Sequence, residues 1–287
     1  MNFKKDLPLT SSHWGTYRAK VKDGKVKELI GWENDKDPSP IGQGIVDVHN
    51  HQTRIDSPMI RKSWMDKGPG SKNSLRGTDP FISISWDEAE KIVSNELNRV
   101  KNKFGNASIF GGSYGWASAG RFHHAQSQLH RFLNCIGGYT RSKFTYSFAA
   151  AEAMVPHILG SYRAYLDTCT SWDSIEENTE LFICFGGVPL KNGQIAQGGT
   201  GSHKQKEKLI RSANAGIKFV NFSPLKSDLL DEVNGEWLAL RPNTDVAIML
   251  GLAHTLYKEK LYDDKFIKKY TEGFDTFLPY LKGDIDG

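Results

Sequence analysis

One serine, Ser147, stands between a segment carrying Phe144, Thr145 and Tyr146 and a run of strong helix formers from Phe148 to Met154. A serine at such a junction has two uses. Its oxygen can cap the helix by accepting from the free N–H groups of the first turn. It can also bind a cation as an alkoxide, because a helix N-terminus stabilises negative charge. On these residues alone the cap is the favoured reading. A second chemical candidate is Asp47-Val-His-Asn-His51, where His49 and His51 give the D-x-H-x-H look of a metal-dependent hydrolase strand. It sits in a turn-rich loop, and no later His and Asp strands complete a ligand set. His123, His124 and His130 fall on a helix expected to begin near Ala119, with no acidic partner at ligand spacing, and read as polar helix residues. Cys135, Cys169 and Cys184 are odd in number and far apart, so neither a disulfide framework nor a CxxC metal site is expected; they read as buried free thiols.

The elements that must position these groups are legible in outline. Residues 14–21 and 26–30 alternate as strands around an Asp23-Gly24 turn, followed by a long loop with Pro38, Pro40, Gly42 and Gly44. Residues 58–80 read as a basic loop. Ser85 and Glu88 have capping-box spacing, and Ala89, Ile92, Val93, Leu97 and Val100 continue at helical spacing to about Lys103. A short strand over 107–110 runs into Gly111-Gly-Ser-Tyr-Gly-Trp116. From about residue 155 strand and helix alternate. Residues 180–185 form a continuous apolar run, as a parallel strand covered on both faces should. Further strands are expected over 217–221 and 236–240, and helices over 203–214 and from 245 to about 258. The pattern predicts an α/β protein: a small β-rich domain (1–60), an α/β domain carrying Ser147 (61–154) and a Rossmann-like doubly wound domain (155–287).

In such sheets ligands lie beyond the carboxyl ends of the strands. The expected ends carry Gly186-Gly-Val-Pro-Leu-Lys-Asn192, Val220-Asn-Phe-Ser-Pro224 and Arg241-Pro-Asn-Thr-Asp245. Glycines let backbone N–H groups approach a phosphate, Lys191 and Arg241 bring charge, and Asp245 can accept from a guanine or a ribose. Lys191 and Asn192 read equally as solvated loop residues, and residues 243–245 as a helix cap. There is no GxGxxG after the first strand, and residues 198–204 miss the P-loop spacing, so neither NAD nor ATP held in the usual way is indicated. The net charge of +4 is small, and Lys204, Lys206 and Lys208 suit a solvated helix face, which argues against a nucleic-acid groove. No apolar run approaches the roughly 20 residues that span a bilayer, and no export signal is visible.

Taken together, Ser12-His-Trp-Gly15, Gly111-Gly-Ser-Tyr-Gly-Trp116, Tyr146-Ser147 with its alanine run, Met154-Val-Pro-His157, Glu177-Asn-Thr179 and Arg241-Pro-Asn-Thr-Asp-Val246 resemble the dimethyl sulfoxide reductase family, in consistent order from about residue 10 to 287. The nearest likeness is to its dimethyl sulfoxide, biotin sulfoxide and trimethylamine N-oxide reductases. The resemblance implies a molybdenum bis(molybdopterin guanine dinucleotide) cofactor without an iron–sulfur cluster, and reduction of S-oxides or N-oxides by oxygen-atom transfer. It implies that Ser147 ligates the metal, that Trp116 lies near it, and that Tyr114 donates a hydrogen bond to the oxo group or the substrate oxygen. Gly115, Ala117 and Ser118 would touch the cofactor; Lys191, Asn192, Val220, Asn221, Asn243, Thr244 and Asp245 would hold its nucleotide tails. From the residues alone, Tyr114 and Trp116 read as an aromatic core pair. Phe222-Ser-Pro224 and Ala117 depart from the family pattern, which bears on one guanine contact and on fine substrate preference. The implied partners are a small oxide and an electron donor that is a cytochrome or is linked to quinol, NADPH or thiols, in the cytoplasm or periplasm. Such enzymes continue well beyond this length, so the chain is expected to be an N-terminal portion, inactive alone. The rivals are the His49/His51 hydrolase and a non-catalytic nucleotide-binding module.

Overall fold

The computed structural model describes residues 6–48, 51–71, 73–113, 124–195 and 201–287. It divides into two compact units, Met1–Cys169 with Gln194–His203, and Thr170–Gly193 with Lys204–Gly287.

The first unit opens with an antiparallel sheet, β1 (Leu9–Ser12), β2 (Gly15–Lys22) and β3 (Lys25–Gly31), in that spatial order. Asp23 and Gly24 both take positive φ, 53° and 70°, which lets the expected tight turn follow the strand twist. One face of β2 carries Tyr17 and Ala19, which bury against Leu29 of β3. The Tyr17 hydroxyl donates to the Ser39 carbonyl at 2.8 Å, so the loop after β3 closes over the sheet. Gly42 lies against the Tyr17 ring, and a Cβ there would run into the ring and its hydroxyl. Asp35, in the same loop, accepts from the backbone N–H of His203 at 3.0 Å and pairs with its Nδ1 at 2.7 Å, both side chains buried.

The expected long loop holds a short helix, α1 (Gly44–Val48). The stretch expected to be a loop from 58 to 80 also folds: β4 (Met59–Arg61) enters α2 (Lys62–Lys67), and β4 pairs with β5 (Phe81–Ser83). Asp79 organises it, accepting from Arg61 at 2.9 Å and from the Ser63 backbone N–H at 3.1 Å, contacts that no local periodicity announces. α3 (Trp86–Phe104) starts on the predicted capping box: Glu88 N–H donates to Ser85 Oγ at 3.2 Å and Ser85 N–H to the Glu88 carboxylate at 3.0 Å. β6 is shorter and later than expected, Phe110–Gly111, because residues 106–108 form a 3-10 turn. α4 (Ala125–Cys135) follows, capped by the His124 ring, and then β7 (Thr140–Arg141), α5 (Ala149–Leu159) and α6 (Tyr162–Asp167).

The second unit begins with α7 (Trp172–Asn178) and β8 (Leu181–Phe185), then α8 (Gln205–Asn214), β9 (Lys218–Ser223) and β10 (Glu236–Ala239). The three strands are parallel in the order β10-β9-β8. β8 and β9 are joined through α8, whereas β9 and β10 are joined by 3-10 turns at Lys226–Asp228 and Asp231–Val233. Cys184, Leu209, Ile217, Phe219, Leu229 and Val233 make the core, with Trp172 and Phe182 stacked at its edge. Fully burying a leucine such as Leu209 contributes about 1.5–3 kcal/mol. The opposite face of β8 differs from expectation: Leu181 and Ile183 are exposed, so among the described residues the strand is covered on one face only. α9 (Asp245–Lys258), α10 (Asp264–Tyr270) and α11 (Phe274–Leu281) complete the unit. Of the three thiols only Cys184 is buried, which pushes it up to about 11; contrary to expectation Cys135, the last residue of α4, and Cys169, beyond the end of α6, are exposed.

Ser85→Ala removes the α3 cap and should cost about 1 kcal/mol, read as a lower urea midpoint at unchanged slope. The backbone N–H and hydroxyl of Ser85 hold the Glu88 carboxyl below its usual range. A depressed carboxylate stabilises the fold at neutral pH, and that contribution should fade as pH falls through the folded-state value. Glu88→Gln should remove this acid-side dependence in a pH series of the same midpoints. Gly42→Ala should destabilise the N-terminal sheet by about 1–3 kcal/mol through overpacking against Tyr17, measured in the same way.

Candidate functional site

β6 and β7 pair in parallel, Phe110 opposite Thr140 and Gly111 opposite Arg141. Parallel pairing sends both strands out at the same edge. Gly112 and Ser113 leave β6 there, and Ser142 to Ser147 leave β7 beside them. The two exits line a cleft of about 310 Å³ that includes Phe110, Gln126, Phe144, Tyr146 and Ser147. It runs into a second hollow of about 660 Å³, sharing Gly112, Ser113, Gln126, Ser142, Phe144 and Thr145 with it and adding His130, Arg141, Lys143 and Glu152. Gln126 Nε2 donates to the Ser113 carbonyl at 2.7 Å and holds the β6 exit to α4.

Ser147 is not the cap of α5. The cap position is Phe148, without a side-chain cap bond. The reason is local. Glu152, in the first turn of α5, reaches back and accepts the Thr145 N–H at 2.8 Å, while Phe148 N–H donates to Thr145 Oγ1 at 3.4 Å. Phe144 takes φ 64°, a left-handed value costly for a side chain of this size, and turns the chain so that these bonds can form. With the segment tied through Thr145 and Glu152, the Ser147 hydroxyl is exposed at the cleft and makes no hydrogen bond to a described residue. Gln126 and Glu152 were not singled out from sequence. Glu152 had a signal, since an acid in the first turn of a helix can reach the backbone just before it.

Tyr114, Gly115, Trp116, Ala117 and Ser118 lie outside the described residues, as does His49. His51 is exposed, and its Nδ1 is engaged with the Thr53 hydroxyl at 2.8 Å. No group of three or more His, Cys, Asp or Glu suited to a metal occurs among the described residues. The hydrolase reading therefore gains no support.

In the second unit the carboxyl ends of β8, β9 and β10 lie side by side, as their parallel register requires. After β8, Gly186 and Gly187 take φ 86° and 72°, and a Cβ on Gly187 would collide with the Asp228 carbonyl, which accepts the Val188 N–H at 2.8 Å. The next turn carries Lys191 and Asn192, both exposed, with Lys191 Nζ 3.6 Å from Asp228. The buried Ser223 hydroxyl donates to Asp228 at 2.6 Å. Ser223 and Asp228 escaped sequence reading because their pairing spans a turn without periodicity. On β9, Val220 is half-buried, and Asn221 is 1% exposed with neither amide atom hydrogen-bonded. Asn221 faces a cavity of about 90 Å³ with Lys226, Asp231, Asn234 and Trp237, which does not include Lys191, Asn192 or residues 243–245. After β10, Asn243 takes φ 68°, and Thr244 turns its hydroxyl back to the Arg241 carbonyl at 2.7 Å, leaving α9 without a side-chain cap. Asp245 opens α9.

The family model described as molybdopterin oxidoreductase matches residues 54–276, and that described as molybdopterin oxidoreductase N-terminal domain matches residues 10–48. The chain is 38% identical over 97% of its length to a dimethyl sulfoxide/trimethylamine N-oxide reductase of Rhodobacter capsulatus. It is 39% identical over 88% of its length to a biotin sulfoxide reductase of Cereibacter sphaeroides, and 36% identical over 97% to a trimethylamine-N-oxide reductase of Haemophilus influenzae. It spans 34% of the length of each of these relatives. No helix among the described residues is long and apolar enough to cross a membrane. The two family matches cover both the N-terminal sheet and most of the chain that follows, and the chain belongs to the molybdopterin oxidoreductase family.

Proposed function

We propose that this chain supplies the metal-ligating serine and part of the nucleotide-binding edge of a molybdenum-dependent reductase of S-oxides or N-oxides. The names of its relatives support dimethyl sulfoxide, biotin sulfoxide and trimethylamine N-oxide as the substrate range. In this reading the β-rich part is residues 1–60, the metal-site part 61–154 and the nucleotide part 155–287. The observation that carries it is the Ser147 hydroxyl, exposed at the cleft where β6 and β7 end and without a hydrogen-bond partner among the described residues.

The residues fit a molybdenum bis(molybdopterin guanine dinucleotide). A hard, high-valent metal suits an alkoxide donor, and the start of α5 favours the negative oxygen. In the second unit the buried Asn221 amide, with donor and acceptor both unmet, is the kind of group a polar ligand or ordered water satisfies. When bound, the group supplies a two-electron reductant for oxygen-atom removal. The overall reaction is oxide plus two electrons and two protons giving sulfide or amine plus water, with the electrons drawn from a separate donor. The chain's own part is positional. Glu152 and Thr145 fix the segment before Ser147; Tyr114 would donate its phenolic hydrogen bond to the oxide oxygen, and Trp116 would lie near the metal. Lys191, Asn192, Val220, Asn221, Asn243, Thr244 and Asp245 would hold the nucleotide tails, Lys191 and Asp228 sharing charge at that edge.

The test is Ser147→Ala in the intact protein expressed in a molybdenum-replete host. Turnover of all three oxides should fall at least about 100-fold, with an altered metal spectrum and the folded state retained. Unchanged turnover and spectrum would end the reading. Asn221→Leu should lower guanine nucleotide recovered per protein; full recovery would remove Asn221 from the nucleotide set.

A further inference from the structure

The hollow beside the Ser147 cleft carries charge that the proposed reaction does not use. Arg141, the last residue of β7, and Lys143, two positions on, both line it and are both exposed. Neither forms an ion pair with a described carboxylate; Lys143 Nζ lies only over the Phe144 ring, 5.2 Å from its centre. Among the described residues, the carboxylate in this wall belongs to Glu152, and one of its oxygens is taken by the Thr145 N–H. The remaining titratable group, His130, is held through Nδ1 by the Tyr139 hydroxyl. Two cations against one engaged carboxylate leave the wall net positive. At about 660 Å³ the hollow has the volume of a small-molecule site, and Phe144 and Ser142 are common to it and to the cleft at Ser147.

We propose that Arg141 and Lys143 form an anion subsite that selects oxides carrying a carboxylate over neutral ones. This rests on Ser147 marking the reaction centre. A substrate whose S-oxide lies at Ser147 then reaches past Phe144 and sets its carboxylate against the Arg141 fork, whose planar donors match two carboxylate oxygens, with Lys143 adding a point charge. Of the three oxides in the relatives' names, biotin sulfoxide has a carboxylate, whereas dimethyl sulfoxide and trimethylamine N-oxide have none.

The experiment uses the intact, cofactor-loaded protein and its Arg141→Gln/Lys143→Gln variant, with biotin sulfoxide, the primary amide of biotin sulfoxide and dimethyl sulfoxide as substrates. The native protein should favour the acid over the amide by about tenfold or more in kcat/KM, the size of one charge-assisted contact, and the preference should weaken as salt is raised. The variant should lose that preference while keeping its dimethyl sulfoxide turnover and its pterin and molybdenum content. Calorimetric binding of biotin and biotinamide, the corresponding thioethers, gives a readout independent of turnover, and the acid should bind more tightly to native protein only. Equal handling of acid and amide by the native protein, in rate or in binding, overturns the subsite while dimethyl sulfoxide turnover leaves the reductase reading intact. A variant that loses pterin or molybdenum assigns the two cations to the cofactor instead and also overturns it. Loss of turnover of every oxide by a metal-loaded native protein sinks the reductase reading, and the binding comparison then still decides the subsite.

Discussion

Two parallel hydrogen-bonded residue pairs, Phe110 with Thr140 and Gly111 with Arg141, set the geometry of the Ser147 region. Antiparallel strands would return the chain to the opposite edge; a parallel ladder makes both chains leave on the same side. Residues 112–113 and 142–147, nearly thirty positions apart in sequence, consequently wall one cleft. The ladder is short, and it is braced from outside. Asn106 Nδ2 donates to the Gly138 carbonyl at 2.8 Å and to the Ile136 carbonyl at 3.2 Å, holding the approach to β7 against the turn before β6.

Within that frame a backbone bond decides what the serine can do. A serine before a helix ordinarily spends its oxygen on the helix's own N–H groups. Here the segment is tied one step earlier, by the Glu152 carboxylate on the Thr145 N–H, and the left-handed turn at Phe144 makes the approach possible. Strain at Phe144 and the absent α5 cap are local costs, and they coincide with a hydroxyl left open at the cleft. Suboptimal local structure gathered at one place is characteristic of functional sites, because elements optimised for stability alone would not leave these groups unmet.

The second unit also gathers polar groups at the ends of parallel strands. Its three parallel strands align glycine-rich and polar ends along one edge, and Asp228 ties two of them together through Ser223 and Lys191. Asn221 is one of several buried polar side chains of this unit, beside Ser212, Ser223 and Asp228, and both of its amide atoms lack a partner. Two unmet polar atoms on one buried amide cost free energy that nothing in the described chain returns.

Periodicity in the chain was enough for β2 and α3, whose apolar residues repeat at the spacing their geometry demands, while a continuous apolar run marked β8 and the alternation of strand and helix placed β9, β10 and α9. The capping box of α3 was legible for the same reason: Ser85 and Glu88 satisfy each other within one turn. The motifs around Ser147 and residues 241–246 likewise point to the family from residue order alone. What the chain order left undecided depended on partners distant in sequence or on competition between local bonds. The folding of residues 58–80 rests on Asp79 meeting Arg61 and Ser63, which no pattern within the stretch encodes. Cap or free hydroxyl at Ser147 depended on a bond that the order of residues does not announce, the Thr145 N–H to the Glu152 carboxylate beside the left-handed turn at Phe144. The charge facing the hollow from Arg141 and Lys143 was invisible for a simpler reason: composition counts cations, but only tertiary structure determines which of them lack an opposing carboxylate among the described residues.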